Sequence, residues 1–453
     1  MPDTPLAIHL ADWSSQKRLD AVPASALHSA RRAILDTTGV IVAGAGHPGV
    51  RALAVHISTV TGPCLAATGV ATDPVAAATI NGMAAHAWDF DDNSYTGMIH
   101  GSAIVLPAVL AVAQSVGAGE DDLLLAFLVG SEVAYVLGEV CTHSHFLHGW
   151  WATGSCGLIG ATVGVAKLLG LDADQTANAL GTAAVTAGIE RAIAGTDAKP
   201  YLVGNVAGQA ITLARAAQAG LTGPKDAFEQ RNGFFALLNQ GHSDVSKRTG
   251  LGQRWRIEEP GLLFKTNPVC SGAHAAIEAT NIVLGTEART PDDIETVVAE
   301  VPKIVEASLV YDRPRNAQEA QFSLPYAVAC AALHGRVRLA DLEPDEIAAP
   351  SKHALMDKVT MRASPDLSAE PMASRFPEST RITIRFRDGE TRTHLCEEAI
   401  GMPNRPLSDA DLVDKFNACL RFAGLPDEDV DLTRTDLAAL AARVIGATGE
   451  PLT

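Results

Sequence analysis

Three aspartates and two histidines crowd one short segment: His86-Ala-Trp-Asp89-Phe90-Asp91-Asp92-Asn93, followed by His100-Gly101-Ser102. The flanks, 74–85 and 103–113, are mostly apolar. Charge beside apolar walls costs free energy unless it is paired or put to use. Histidine, aspartate and asparagine are ordinary ligands for divalent metals. Asp91 and Asp92 are adjacent, however. On a helix they would stand about 100° apart and on a strand on opposite faces, so they do not readily share one ion. They suit equally well a cap on the helix expected after Gly101, or bonds to backbone amides. By spacing alone a metal site, metal-free acid–base chemistry and a polar supporting loop all stay open.

A second cluster is Cys141-Thr-His143-Ser-His145-Phe-Leu-His148-Gly-Trp150-Trp151-Ala-Thr153-Gly154-Ser155. Its histidines do not follow the HExxH zinc pattern, and no glutamate lies between them. It reads as a loop carrying one useful group. Thr153-Gly154-Ser155 then reads as a helix start with Ser155 near the N-cap. Lys199 and Lys265 stand out because their surroundings hold little other charge. Pro200 biases Lys199 away from helix, and Pro268 does the same to Asn267. A lysine fixed between apolar segments is a good clamp for a carboxylate. The plainer alternative is a salt bridge, for Lys199 with Asp197.

These groups must be positioned by a large chain. At 453 residues it exceeds the usual size of a single core, so two or more domains are expected. An apolar fraction of 47% and a charged fraction of 19% suit a globular protein. The net charge of -17 argues against nonspecific binding to nucleic acid or anionic lipid, but not against an anionic substrate. No export signal is read at the N-terminus, where Asp3, Asp12 and Asp20 interrupt any apolar run. No transmembrane span is expected: the run 123–140 carries Glu132 and Glu139. The seven cysteines are scattered without a CxxC pair, which reads as reduced thiols in a cytoplasm.

From about 24 to 260 the sequence reads as successive helices, at 25–42, 74–88, 103–116, 121–141, 155–169, 173–187 and 204–219. After Lys265 the texture changes. Residues 290–302 open with a turn and continue as a strand. Residues 381–387 alternate strictly, Asp388-Gly389 is a hairpin turn pair, and 391–396 returns. Helical stretches lie at 317–333 and 345–357, and the tail is helical at 408–422 and 432–445. The expected fold is mostly α with an inserted α+β domain. Residues 1–263 and 402–453 form the helical-bundle domain, and 264–401 form a smaller α+β lid.

With these segments in place the chain resembles the MmgE/PrpD family. The matching pieces are the 86–92 segment with His100-x-Ser102, Thr153-Gly-Ser155-x-Gly157, and Lys199-Pro200-x-x-x-Gly204. Further on come Lys265-x-x-Pro268-x-Cys270-x-x-x-His274, Glu319-Ala-Gln-Phe-Ser-Leu-Pro-Tyr326 and Arg405-Pro406-Leu-Ser408. They occur in family order from about 25 to 420. The resemblance implies a helical domain plus an α+β lid, a homodimer, small polycarboxylate substrates, and catalysis without a metal or organic cofactor. It implies that Asp89, His100, Lys199 and Lys265 are catalytic. Asn93, Ser102, Trp151, Tyr311 and His274 are candidate substrate-binding residues.

Breaking a C–H, C–O or C–C bond next to a carboxylate builds negative charge that lysines stabilise in a water-poor cleft. A histidine moves the proton, because its pKa lies near the working pH. Asp89 would orient His100 or take part in the transfer. The chain departs from the family at Asn93 and Gly101, and at Trp151, where a histidine is common. His148 is a candidate to replace that histidine. These departures leave the substrate open. The expected function is a hydro-lyase acting on a di- or tricarboxylate, with an epimerase or decarboxylase as alternatives in the same pocket. A metal-dependent hydrolase using His86, Asp89, Asp92 and His100, or a noncatalytic carboxylate-binding protein, are the alternatives of another class.

Overall fold

The computed structural model of the chain describes residues 4–285 and 289–449, with the side chains of Thr142 and His143 outside the description. The Ala-rich segments form helices α1 (Ala24–Gly44), α2 (Pro74–His86), α3 (Gly101–Val116), α4 (Glu120–Leu147), α5 (Ala152–Leu168) and α6 (Ala198–Gln218), which pack around one core. Small side chains let these helices bury nearly every face. The helix α4 is long and apolar enough to cross a membrane, yet 89% of its apolar window is buried inside the bundle. Its Glu132 and Glu139 are held by Arg256 at 2.8 and 2.9 Å.

One glycine contact decides the site. A Cβ on Gly82 of α2 would lie 2.7 Å from the Cα of Gly204 of α6. The two backbones therefore touch, and the antiparallel pair brings His86 at the end of α2 beside Lys199 at the start of α6. The start of α2 is set by Asp73, whose carboxylate accepts from the amides of Val75 and Ala76, with Pro74 in the first turn.

Three local expectations are corrected. The helix α4 continues to Leu147, so the 141–148 cluster is largely helical rather than a loop. The helix α5 starts at Ala152 with Trp151 at its N-cap, and Ser155 Oγ donates back to Trp151 O at 3.2 Å instead of capping. Lys199 and Pro200 are helical, in the first turn of α6. A proline is tolerated there because the first-turn amides have no helical acceptor anyway.

The second unit is a four-stranded sheet of β1 (Ile294–Val301), β2 (Val359–Ala363), β3 (Thr380–Phe386) and β4 (Thr391–Cys396), in the order β2-β1-β3-β4. The strands β1 and β2 run parallel and the other neighbours antiparallel. Gly389, at φ +89°, turns the β3–β4 hairpin. Ile382, Ile384 and Phe386 alternate inward under α7 (His274–Gly285). The helix α8 (Leu324–His334) packs on α7. The chain enters and leaves this unit at adjoining points, since Phe264 N donates to Gly401 O at 2.9 Å. The last helices return to the bundle. In α9 (Asp409–Phe422), Lys415 pairs with Asp36 of α1 at 2.7 Å. The fold is thus mostly α, with a smaller α+β unit set into the helical chain.

Candidate active site

Where α2 ends, the chain makes a left-handed turn at Asp89, φ +48°. Aspartate tolerates this conformation better than most residues, at a cost of order 1 kcal/mol. The turn aims both the carboxylate and the carbonyl of Asp89 at Lys265, whose Nζ donates to Oδ2 at 2.8 Å and to O at 2.7 Å. Lys199 Nζ donates to the other carboxylate oxygen, Oδ1, at 2.5 Å and to His86 Nε2 at 2.5 Å. Burial alone would push the Asp89 carboxyl up, but the two ammoniums together pull it below the usual carboxylate range. Burial likewise works against the Lys265 charge, and Asp89 more than offsets it, so that this ammonium is held above its usual value. Among the described residues each lysine uses two of its three N–H groups, leaving one for a ligand.

Asp91 does the work expected of Asp89 in orienting His100. Its carboxylate accepts from His86 Nδ1 at 2.9 Å and from His100 Nδ1 at 3.0 Å, and the two rings meet edge to face with centroids 4.6 Å apart. Burial raises the Asp91 carboxyl, but the two imidazoles outweigh it and hold the group well below its usual value. Burial also lowers both imidazoles, His86 to about 4. At neutral pH each ring is therefore neutral, with its proton on Nδ1 toward Asp91 and its lone pair on Nε2. On His86 that lone pair takes Lys199. On His100 it has no hydrogen-bond partner among the described residues, and the ring lines a cavity of about 340 Å³.

Asp89, Asn93, Trp151, Lys199 and Lys265 line the same cavity. The buried Asn93 Oδ1 has no hydrogen-bond partner among the described residues, so the amide is open to a ligand. Trp151 lies 5.8 Å from the His86 ring and the same distance from Lys199 Nζ. Three expected residues are elsewhere. Ser102 lies behind the wall toward Asp92 and Tyr135. Tyr311 donates to Ala194 O at 3.2 Å over Gly195, outside the lining. His274 heads α7, buried and lowered to about 3 by burial and by Lys265, and does not reach the cavity. Nor does His148 fill the place of a missing histidine, because its Nδ1 is turned back to Ser144 O at 2.6 Å on an exposed helix end. His145 is committed to Leu238 O and Ser155 Oγ.

Asp91 and Asp92 do not cap α3, whose N-cap is His100. Asp92 points into the bundle beside Asp36, where burial first and Asp36 next raise it well above the usual range. Lys415 of α9 supports this acidic turn from below, donating to Phe90 O at 2.8 Å and lying 4.1 Å over the Phe90 ring. The α+β unit adds to the lining Cys270, from the Lys265–His274 motif, and two groups the sequence did not flag, Ser271 and Glu378. Arg191, from the segment before α6, adds a cation to the wall. Gln321, within the Glu319–Tyr326 motif, ties the units together by donating to Ala87 O at 3.0 Å and accepting the Cys270 amide at 2.9 Å. Ser271, Glu378 and Arg191 carry no spacing rule that would single them out in one sequence.

The metal reading has a donor set: His86, Asp89 and His100 offer ligand atoms within 4.8 Å of one another. Lys199 Nζ already stands 2.5 Å from two of those donors, so an ammonium takes the position between His86 and Asp89. A divalent ion there would meet that charge at contact distance. Asp92, the fourth ligand of that reading, is turned into the core.

The MmgE/PrpD N-terminal domain matches residues 8–245 and the MmgE/PrpD C-terminal domain residues 268–437. Human cis-aconitate decarboxylase is 27% identical over 86% of this chain and 83% of its own length. The mouse cis-aconitate decarboxylase is 28% identical over 86% and 82%. A cis-aconitate decarboxylase-like protein, oryM, of Aspergillus oryzae is 25% identical over 92% and 90%.

Proposed function

The chain belongs to the MmgE/PrpD family and is an enzyme of its lyase type, and we propose that it dehydrates a small di- or tricarboxylate without a metal or organic cofactor. One observation carries the reading. A neutral imidazole, fixed at Nδ1 by Asp91, presents its Nε2 lone pair to the cavity that Lys199 and Lys265 also line. The spare N–H of each ammonium holds a substrate carboxylate, and His100 Nε2 removes the proton from the adjacent carbon. The negative charge that develops on the carboxylate is stabilised by ammoniums already in place, in a site with little water. Arg191 on the wall adds to the attraction for a polyanion.

Dehydration is favoured because His100 enters the cycle as an acceptor, and it is the imidazole that lines the cavity among the described residues. Epimerisation needs groups on both faces of one carbon, and Trp151 stands where a second imidazole would serve. The second reading is decarboxylation, which the names of the curated relatives favour. It uses the same ammoniums but needs a proton delivered to carbon after carbon dioxide leaves. Proton NMR in deuterated water with citrate, methylcitrate, aconitate and iminodisuccinate, on protein dialysed against chelator, tests both. Loss of water with deuterium entering next to a carboxylate is expected. Carbon dioxide release from aconitate without action on the hydroxy acids would replace dehydration by decarboxylation. A chelator-sensitive rate would overturn the metal-free reading.

A further inference from the structure

The cavity has a second polar arm that the chemistry above does not use. Ser271 lies six residues beyond Lys265 on the same loop and lines the cavity, 5% exposed. Behind it Glu378, from the segment that leads into β3, is 4% exposed and also reaches the lining. Ser271 Oγ and Glu378 Oε1 are 2.5 Å apart, and Tyr95 Oη donates to Glu378 Oε2 at 2.7 Å. With Oε2 taken by Tyr95, Oε1 is the carboxyl oxygen that can exchange a proton with Ser271 Oγ, which donates to it here.

We infer that Ser271, backed by Glu378, protonates the departing hydroxyl of the substrate. The inference rests on the dehydration reading and completes its proton balance. His100 takes the proton from the carbon next to the carboxylate, and the C–H electron pair becomes the C=C bond. The C–O bond breaks, and the oxygen leaves as water with the Ser271 proton. Glu378 replaces that proton on Ser271. The proton held by His100 returns to Glu378 through solvent when the products leave. Burial, opposed by Ser271, Tyr95 and Lys265, raises the Glu378 carboxyl above its usual range, the direction a proton donor needs. Lys265 and Ser271 on one loop would hold a carboxylate and its β-hydroxyl side by side. Ser271 touches the substrate, and Glu378 acts through it as a positioning residue.

The test compares Glu378→Gln, Ser271→Ala and Ser271→Thr with the wild type, using citrate and methylcitrate in deuterated water. Water release and deuterium entry at carbon are followed separately across pH. Glu378→Gln and Ser271→Ala are expected to slow water release about a hundredfold, within the range general acids contribute. Deuterium entry should persist in both, and Ser271→Thr should recover most of the rate. The alkaline limb of the wild-type profile should vanish in Glu378→Gln. Equal losses of exchange and water release, or an unchanged alkaline limb, would overturn the inference and leave dehydration standing. A wild type inert toward both hydroxy acids yet active on aconitate would overturn dehydration and this arm together.

Discussion

Among the described residues, the buried lysine–carboxylate clusters around Asp89 and around Lys352 differ in what they leave open, and the first of them lines the active-site cavity. In the α+β unit Lys352 Nζ donates to Asp341 at 3.0 Å, to Glu346 at 2.8 Å and to Tyr326 Oη at 3.1 Å. Its three N–H groups are consumed, and Arg338 donates to both oxygens of Asp341, to Oδ1 at 2.8 Å and to Oδ2 at 3.0 Å. Around Asp89 the same residue types are arranged differently. Among the described residues each lysine keeps one N–H, Asn93 Oδ1 is without a partner, and the His100 lone pair is unclaimed. Buried charge is tolerable in both places because it is paired. It becomes chemistry only where donors remain after the pairing. A charge count or a lowered carboxyl does not separate the two, since burial is overcome by neighbouring cations at Asp341 as it is at Asp89.

The comparison can be broken at its strongest point by His100→Ala, which should reduce deuterium entry into substrate about a thousandfold while the melting temperature stays near that of the wild type. Retained exchange would move the base elsewhere. Lys352→Ala should do the reverse. Leaving Asp341 with less than its full set of partners should cost about 3 kcal/mol of stability by denaturant titration, with kcat preserved in the folded fraction. Gly204→Ala forces α2 and α6 apart where Thr79 and Met83 crowd the missing Cβ. A loss of about 2 kcal/mol is expected, accompanied by a rise in KM, because Lys199 rides on α6.

The pH response sharpens the contrast further. Because burial lowers His100, its base form persists below the ordinary imidazole value near pH 6.5, so the acid limb of kcat/KM should lie below that pH. The sign for stability is the same. His86, lowered to about 4, binds a proton in the unfolded chain before it does in the folded one. Stability should therefore be highest above pH 6.5 and fall as pH drops toward 4. The smallest effect is expected for His148→Ala, less than twofold on turnover. A larger loss would restore it to the site.

Much of the site could be read from residue types in sequence. Asp89 lies in a crowd of acids and imidazoles, Lys199 and Lys265 have little other charge around them, and charge without local partners of opposite sign must find distant ones or a ligand. The helices, the hairpin at Asp388-Gly389 and the return of the C-terminal helices followed from periodicity and turn chemistry. The failures come from where each side chain is turned. Ser102 and His274 lie two and three residues from the lining residues His100 and Ser271, but in the first turns of helices that send them into the core, and Tyr311, next to the lining residue Val310, is turned to Ala194 O instead. The extended reading of Lys199 failed because a proline that stops a helix in mid-run is acceptable in its first turn.

The sequence by itself determined the family, the mostly α class with its α+β insertion, and the supply of groups: acids and imidazoles at 86–100, lysines at 199 and 265. It left the pairing undecided. Which aspartate would hold His100, and which would join the lysines, depended on the left-handed turn at Asp89 and on the Gly82–Gly204 contact, more than a hundred residues apart in the chain. Only tertiary structure could assign Asp91 to the imidazoles, Asp89 to the ammoniums and Asp92 to the core. Three aspartates within four positions are alike in sequence and differ only in what the fold puts opposite each one.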